Sequence, residues 1–168
     1  MDHQIFGDYR SFFLDLLSKL KTINIDLKNY PVDHFCYRVA SAKDYLKMKE
    51  KTKNISKAYL ENIHHNRPIS KFILKEPLKF DKYSVDVMEL PAPKSSQFFQ
   101  TGLEHFEFSV GKKFVTFKEK YKKIWNGFDD SGPYNQPVFI RFDNNTVKFH
   151  EFPLLTVLEL EGKKFIDL

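Results

Sequence analysis

Residues 33–39 read Asp-His-Phe-Cys-Tyr-Arg-Val, and residues 104–110 read Glu-His-Phe-Glu-Phe-Ser-Val. Both stretches place an acid before a histidine, a phenylalanine after it, an aromatic residue at the fifth position and a valine at the seventh. The two histidines, His34 and His105, are 71 positions apart. A motif that recurs at such an offset indicates that the chain consists of two similar halves.

A shorter repeat lies toward the end of each half. Met-Glu-Leu at 88–90 is followed 70 positions later by Leu-Glu-Leu at 158–160, so the histidine-to-glutamate separations are 55 and 54 positions. Equivalent positions in two similar halves predict one shared site with two imidazoles and two carboxylates. The four predicted metal ligands are His34, Glu89, His105 and Glu159.

Composition sets the class of protein. The 168 residues are 42% hydrophobic and 16% aromatic, with 18 phenylalanines, which excludes a disordered chain and indicates an aromatic-rich core. The single cysteine, Cys36, excludes an internal disulfide and fits a reducing compartment. The first residues do not resemble a signal peptide, and no apolar run approaches the roughly 18 residues of a membrane span. We therefore expect a cytoplasmic protein without a membrane partner.

The net charge of +5 is a weak indication of an anionic partner. The lysines are scattered along the chain, and no helix-turn-helix or RNA-binding signature is present. A lysine-rich surface explains the charge better, so nucleic acid is not an expected partner.

Periodicity predicts an α+β fold in which an N-terminal helix precedes two β-α-β-β-β modules. The helices are predicted at 4–22, 41–53 and 114–125. The strands are predicted at 32–39, 57–64, 71–75, 83–90, 104–110, 137–142, 146–152 and 156–161. We expect one domain over 1–168, with an N-terminal extension at 1–30 and modules at 31–94 and 101–162 that form a shared cleft about a pseudo-twofold axis.

Strand alternation predicts which side chains face this cleft. His34 points away from its neighbours Phe35 and Tyr37, and His105 points away from Phe106 and Phe108. If the aromatic faces pack on the helices, both histidines face the cleft. The same alternation turns the two glutamates inward, and a buried carboxylate needs a partner charge, hydrogen bonds or a metal.

Two imidazoles and two carboxylates suit Zn²⁺, Ni²⁺, Fe²⁺, Co²⁺ or Mn²⁺ and leave two positions open in an octahedral site. A site of this kind can also keep its geometry without a metal. Either Glu89 or Glu159 is a candidate catalytic base beside a polarised carbonyl. Four further polar residues are candidates for substrate binding or for a network that orients the ligands: Arg38, Glu107, Lys148 and His150.

Five stretches of the sequence resemble a known family, the YecM-like proteins: 32–39, 66–69, 89–94, 102–105 and 147–150. The paired modules with their histidines and glutamates look like the vicinal-oxygen-chelate superfamily, which includes glyoxalases, bleomycin-resistance proteins and extradiol dioxygenases. The histidine-glutamate-histidine-glutamate order is similar to that of bacterial glyoxalase I. In this chain, both modules would come from one polypeptide, so no oligomer is needed to form the site.

This resemblance implies a divalent-metal enzyme, an isomerase, epimerase or lyase, that acts on a small oxygen-rich molecule. The alternative it implies is a non-catalytic protein that binds a small ligand in the same cleft, as the bleomycin-resistance proteins do.

Overall fold

A single mixed β-sheet with α-helices packed against it organises the chain. The structure is a computed structural model that describes residues 3–64, 66–94, 100–130 and 132–168. Its helices are α1 (Tyr9–Thr22), α2 (Ala42–Asn54), α3 (Phe114–Lys120) and α4 (Leu154–Leu160). Its strands are β1 (Val32–Arg38), β2 (Ser56–His64), β3 (Arg67–Phe80), β4 (Tyr83–Pro91), β5 (Gly102–Ser109), β6 (Gly127–Phe128), β7 (Val138–Phe142), β8 (Asn145–His150) and β9 (Ile166–Asp167). The predicted α+β class is confirmed.

The strand order is β6-β7-β8-β5-β1-β4-β3-β2-β9. Two antiparallel neighbours, β1 and β5, lie at the middle of the first eight strands. On one side β1 pairs with β4 in parallel, and on the other side β5 pairs with β8 in parallel. Moving outward from the β1–β5 contact, each side has one parallel pairing followed by two antiparallel pairings. The short strand β9 is an addition on one side only.

Helix α1 covers one face of this central pair. The side chain of Asp8 caps its first turn by accepting a hydrogen bond from the backbone N–H of Ser11. The ring of Phe13 is fully buried and lies 6.1 Å from that of Phe35 on β1 and 5.1 Å from that of Phe106 on β5. Because neighbouring residues on a strand point to opposite faces, this packing leaves His34 and His105 on the other face.

No helix among the described residues is long and apolar enough to cross a membrane.

The predicted strand at 156–161 is wrong, because this segment is helical as part of α4. Short apolar runs fit a strand and a helix equally well, and the leucine-rich run 154–160 contains good helix formers. The fourth strand of the second half is the two-residue β6, which the sequence analysis did not predict.

Candidate metal centre

The register of the three central strands brings the candidate ligands together. Across β1 and β5, His34 pairs with Glu107 and Cys36 pairs with His105. Across β1 and β4, Cys36 pairs with Glu89. The histidines and carboxylates therefore lie on two adjacent rows of one sheet face, around the middle of the sheet.

Distances confirm that these side chains converge. Nε2 of His34 lies 3.3 Å from Oε1 of Glu107 and 3.8 Å from Oε2 of Glu89. Nε2 of His105 lies 3.1 Å from the same Glu107 oxygen. Each of the four residues offers one possible ligand atom, and these atoms all lie within 4.8 Å of one another. Such a group could hold a divalent ion.

Each histidine ring is oriented by the acid that precedes it in the sequence. Nδ1 of His34 donates to Oδ2 of Asp33 at 2.6 Å, and Nδ1 of His105 donates to Oε2 of Glu104 at 2.5 Å. A carboxylate on one ring nitrogen is the usual arrangement for a histidine whose other nitrogen binds metal. Here it directs both Nε2 atoms toward the glutamates.

The orienting acids are themselves held by hydrogen bonds. The backbone N–H of Leu154, at the start of α4, donates to Oδ2 of Asp33 at 2.9 Å. Nε of Arg38 donates to Oε2 of Glu104 at 3.1 Å, and the hydroxyl of Thr146 donates to its other oxygen at 3.3 Å. The histidine positions are thus fixed from both halves of the sheet.

Two lysines neutralise the two glutamates. Nζ of Lys148 donates to Oε1 of Glu107 at 2.7 Å. Nζ of Lys71, a residue only 3% exposed, lies 3.7 Å from Oε1 of Glu89 and donates to the side-chain oxygen of Asn62 at 2.6 Å. The two lysines and the two glutamates carry equal and opposite formal charges.

The same contacts shift the ionisation of the cluster. Burial works against the charged ring of His34, but the negative charge of Glu107 and the hydrogen bonds to Asp33 and Glu107 outweigh it and raise the pKa of His34 to about 10. Burial would raise the pKa of Glu107, yet the charges of Lys148 and His34 hold that pKa well below its ordinary value. Lys71 and His34 likewise lower the pKa of Glu89 against its burial. Both glutamates are therefore ionised at neutral pH.

Glu159 does not join this cluster. Its side chain is exposed on α4, so the convergence predicted for four residues holds for His34, Glu89 and His105 but not for Glu159. The second carboxylate is Glu107, which the sequence analysis assigned to substrate binding. Its signal was present in the sequence, since Glu107 lies two residues after His105 and therefore on the same face of β5.

The register also identifies the residue that matches Glu89 in the second half. Glu89 on β4 pairs with Cys36, two residues after His34. Lys148 on β8 pairs with Glu107, two residues after His105. The second half therefore carries a lysine at the position where the first half carries a glutamate.

The other predicted site residues surround the cluster. Arg38 contacts Glu104, and Lys148 contacts Glu107. His150 is buried, with Nε2 3.5 Å from Oε2 of Glu107, and burial lowers the pKa of its ring. The acid before each histidine is visible in the repeated motif, but its orienting role and the contribution of Lys71 were not predicted from the sequence.

A cleft of about 1220 Å³ opens onto this face of the sheet. Residues of both halves line it, including Arg38 and Glu89 from the first half and His105 and Lys148 from the second. Its size is ample for a small molecule beside the cluster.

Comparison with known proteins identifies the family. The family model described as "YecM protein" matches residues 1–143. The chain belongs to the YecM family. An uncharacterised protein of Haemophilus influenzae is 38% identical over 90 residues, which are 52% of this chain and 46% of that protein. The matched region thus spans about half the length of this relative.

A solved structure shows the same fold. The structure described as "Structural Genomics, Protein EC4020" superposes with a TM-score of 0.80 at 18% identity, over 94% of this YecM-family chain and 92% of that chain. A hypothetical protein, BH1468 from Bacillus halodurans C-125, reaches a TM-score of 0.45 at 16% identity over 74% of this chain and 96% of its own. The second likeness is too low to define a shared fold.

Proposed function

We propose that His34, Glu89, His105 and Glu107 bind a divalent transition-metal ion and that the cleft holds a small oxygen-rich molecule beside it. The observation that carries this proposal is the matched pair of carboxylate–histidine contacts, in which Asp33 and Glu104 direct two Nε2 atoms at two glutamates.

The residues fit a metal in a second respect. Nε2 of His105 is buried and makes no hydrogen bond to any described residue, although an oxygen of Glu107 lies 3.1 Å away. A buried nitrogen without a hydrogen bond is costly unless something else satisfies it. Two imidazole nitrogens and two carboxylates suit Zn²⁺, Ni²⁺, Fe²⁺, Co²⁺ or Mn²⁺.

The strand pairings support a vicinal-oxygen-chelate arrangement. The symmetric order about β1 and β5 suits two modules, 31–94 and 101–162, related by a pseudo-twofold axis within one domain, with 1–30 as an added extension. The second module would run β5-α3-β6-β7-β8 and end on the strand of Lys148. No second chain is needed to complete the ligand set.

Glu89 is the better candidate for a catalytic base. Glu107 is held by Lys148 at 2.7 Å, whereas the oxygens of Glu89 lie 3.7 Å from Lys71 and 3.8 Å from His34. Glu89 also lines the cleft and is more exposed than Glu107. A bound ion would supply Lewis acidity toward a carbonyl or a pair of vicinal oxygens. Glu89 would accept and return a proton, as in an isomerase, epimerase or lyase.

The charge balance of the cluster favours a second candidate function. Lys71 and Lys148 already neutralise Glu89 and Glu107, so the cleft is stable electrostatically without an ion. A protein of this kind would bind a small molecule without transforming it.

Elemental analysis of protein purified without added metal separates the two functions. About one divalent ion per chain supports the metal centre, and no ion in a folded protein that binds a small molecule supports the second function. In metal-loaded protein, deuterium exchange from solvent into small α-hydroxy and α-keto acids would report proton transfer. Glu89→Gln should lower that exchange roughly 100-fold or more, as expected for loss of a general base, whereas Glu159→Gln should not change it.

A further inference from the structure

One end of the cleft carries two arginines, of which Arg38 also holds Glu104 and Arg67 has no role in the proposed chemistry. Arg38 is the last residue of β1, and Arg67 is the first residue of β3. Both line the cleft. Arg67, Ile69 and Lys71 alternate along β3, and all three line the cleft, so the side chain of Arg67 lies on the same sheet face as the metal-ligand cluster.

The register places the arginines beyond the cluster, at the same end. Lys71 pairs with Glu89, and Ile69 pairs with Pro91, so Arg67 lies roughly 13 Å along β3 from Lys71 at the usual strand rise. On the parallel strand β1, Arg38 lies two residues past Cys36, the partner of Glu89. The hydrogen bond from Nη1 of Arg67 to the carbonyl of Ala92, at 2.8 Å, fixes the guanidinium there.

Arg67 retains an unused donor at this place. Its Nε atom is buried and has no hydrogen-bond partner within the described ranges. Burial lowers the pKa of Arg67, and the like charge of Arg38 lowers it further, while the charges of Glu89 and Glu104 partly offset both. Arg67 lines the cleft, and a guanidinium in such a position binds an oxyanion through paired hydrogen bonds.

We propose that Arg67, assisted by Arg38, binds an anionic group at the far end of the cleft ligand. The ligand is then a small acid with metal-chelating oxygens at one end and a carboxylate or phosphate at the other, joined by a spacer of several atoms. For its chelating end, the inference rests on the proposed metal site. Arg67 is a specificity-determining residue in this account, and it contacts none of the proposed metal ligands.

The test compares two probes that differ only in the distal group. Calorimetry would measure the binding of 2-oxoglutarate and of 2-oxopentanoate to metal-loaded protein, with 3-phosphoglycerate as the phosphate counterpart. We expect a distal anion to strengthen binding roughly tenfold or more, as a hydrogen bond to a charged group does. Tighter binding of 2-oxoglutarate than of 2-oxopentanoate identifies a carboxylate subsite, and tighter binding of 3-phosphoglycerate than of glycerate identifies a phosphate subsite.

Variants assign the effect to Arg67. Arg67→Gln should bring the affinities of 2-oxoglutarate and 2-oxopentanoate together while leaving metal affinity unchanged, and Arg67→Lys should keep part of the difference. Arg141, which lines the same cleft from β7, provides the control. If Arg141→Gln lowers the preference as much as Arg67→Gln, the effect is general electrostatics and the inference is wrong. It is equally wrong if, in the parent protein, neither 2-oxoglutarate nor 3-phosphoglycerate binds more tightly than its counterpart without the distal anion.

A metal-free measurement separates this inference from the proposed function. Glutarate carries two carboxylates and no chelating oxo group, and its binding to metal-free protein can be followed by NMR. Glutarate binding that Arg67→Gln abolishes, in a protein that takes up no metal, supports the anion subsite and overturns the metal centre. Metal uptake with no preference for a distal anion supports the metal centre and overturns the anion subsite.

Discussion

Lys148 donates a hydrogen bond from Nζ to Oε1 of Glu107 at 2.7 Å, and the two residues are paired across β8 and β5. The same oxygen lies 3.1 Å from Nε2 of His105 and 3.3 Å from Nε2 of His34. One carboxylate oxygen is therefore shared by three nitrogen groups from three strands. Glu107 is the electrostatic centre of the cluster, whatever the cleft binds.

This pairing predicts strong coupling between Lys148 and Glu107. Lys148→Met leaves a buried carboxylate without its cation, and Glu107→Gln leaves the ammonium without its anion, so each should cost about 1–3 kcal/mol of unfolding free energy. The double variant should lose less unfolding free energy than the two single variants lose together, and the difference should be about 0.5–3 kcal/mol. Urea denaturation of the four proteins measures the coupling. Lys122→Met, which removes an exposed pair with Glu119, should leave stability unchanged. Strictly additive single effects would contradict the shared carboxylate.

The proposed ligands predict a second result. His34→Ala and His105→Ala should each weaken divalent-metal binding roughly tenfold or more, because each removes a donor to the ion. Titration calorimetry with Zn²⁺ or Co²⁺ measures this, with His3→Ala as a control outside the cleft. Glu159→Ala should bind metal as the parent protein does, since Glu159 is exposed on α4. A loss of affinity in Glu159→Ala equal to that in His34→Ala would restore the ligand set predicted from sequence.

The orienting acids predict an effect without direct contact to the ion. Asp33→Asn and Glu104→Gln keep the shape of each side chain but weaken its hold on the neighbouring ring. Metal affinity should fall roughly 10–100-fold in each, as is usual for such outer residues. The folded content, followed by circular dichroism, should be retained. Affinity equal to that of the parent protein in both variants would show that the two contacts have no orienting role.

A separate cluster predicts a dependence of stability on pH. Burial raises the pKa of Glu61, but hydrogen bonds from Tyr45, Lys49 and Ser70 outweigh it and lower that pKa from 4.5 to about 2. A pKa depressed by folding stabilises the protein above the unfolded value, and this stabilisation is lost as pH falls from 4.5 toward 2.

The parent protein should therefore be more stable than Glu61→Gln at neutral pH, with a difference that shrinks across this acid range. Thermal unfolding at a series of pH values measures the difference. A gap that stays constant down to pH 2 would mean that the carboxylate contributes nothing through its charge.

The histidine positions could be predicted because the evidence for them is local. The repeated motif fixes His34 and His105, and strand alternation decides their face once Phe35 and Phe106 are seen to pack against Phe13. Glu89 follows for the same reason, since it lies inside the long strand β4. These inferences need only the residues of one strand and the rule that alternate side chains share a face.

Glu159 could not be placed correctly because its predicted role as a ligand depended on the match of a single tripeptide. Leu-Glu-Leu repeats Met-Glu-Leu, but the surrounding run is equally compatible with a helix, and tertiary packing makes it one. The second half also has shorter hairpins than the first, with β7 of five residues against β3 of 14. A fixed offset of about 70 positions therefore misses Lys148, the residue at the register position equivalent to that of Glu89. Strand register, which the sequence does not reveal, was needed to find it.

The central claim is that one divalent ion binds between His34, Glu89, His105 and Glu107. An anomalous difference map from a crystal of this protein soaked with Mn²⁺ or Co²⁺ tests it most directly. The account predicts a single strong peak within coordination distance of both histidine Nε2 atoms and both glutamates. A map with no peak there, or with the ion bound elsewhere while the Lys148–Glu107 contact stays intact, would contradict it.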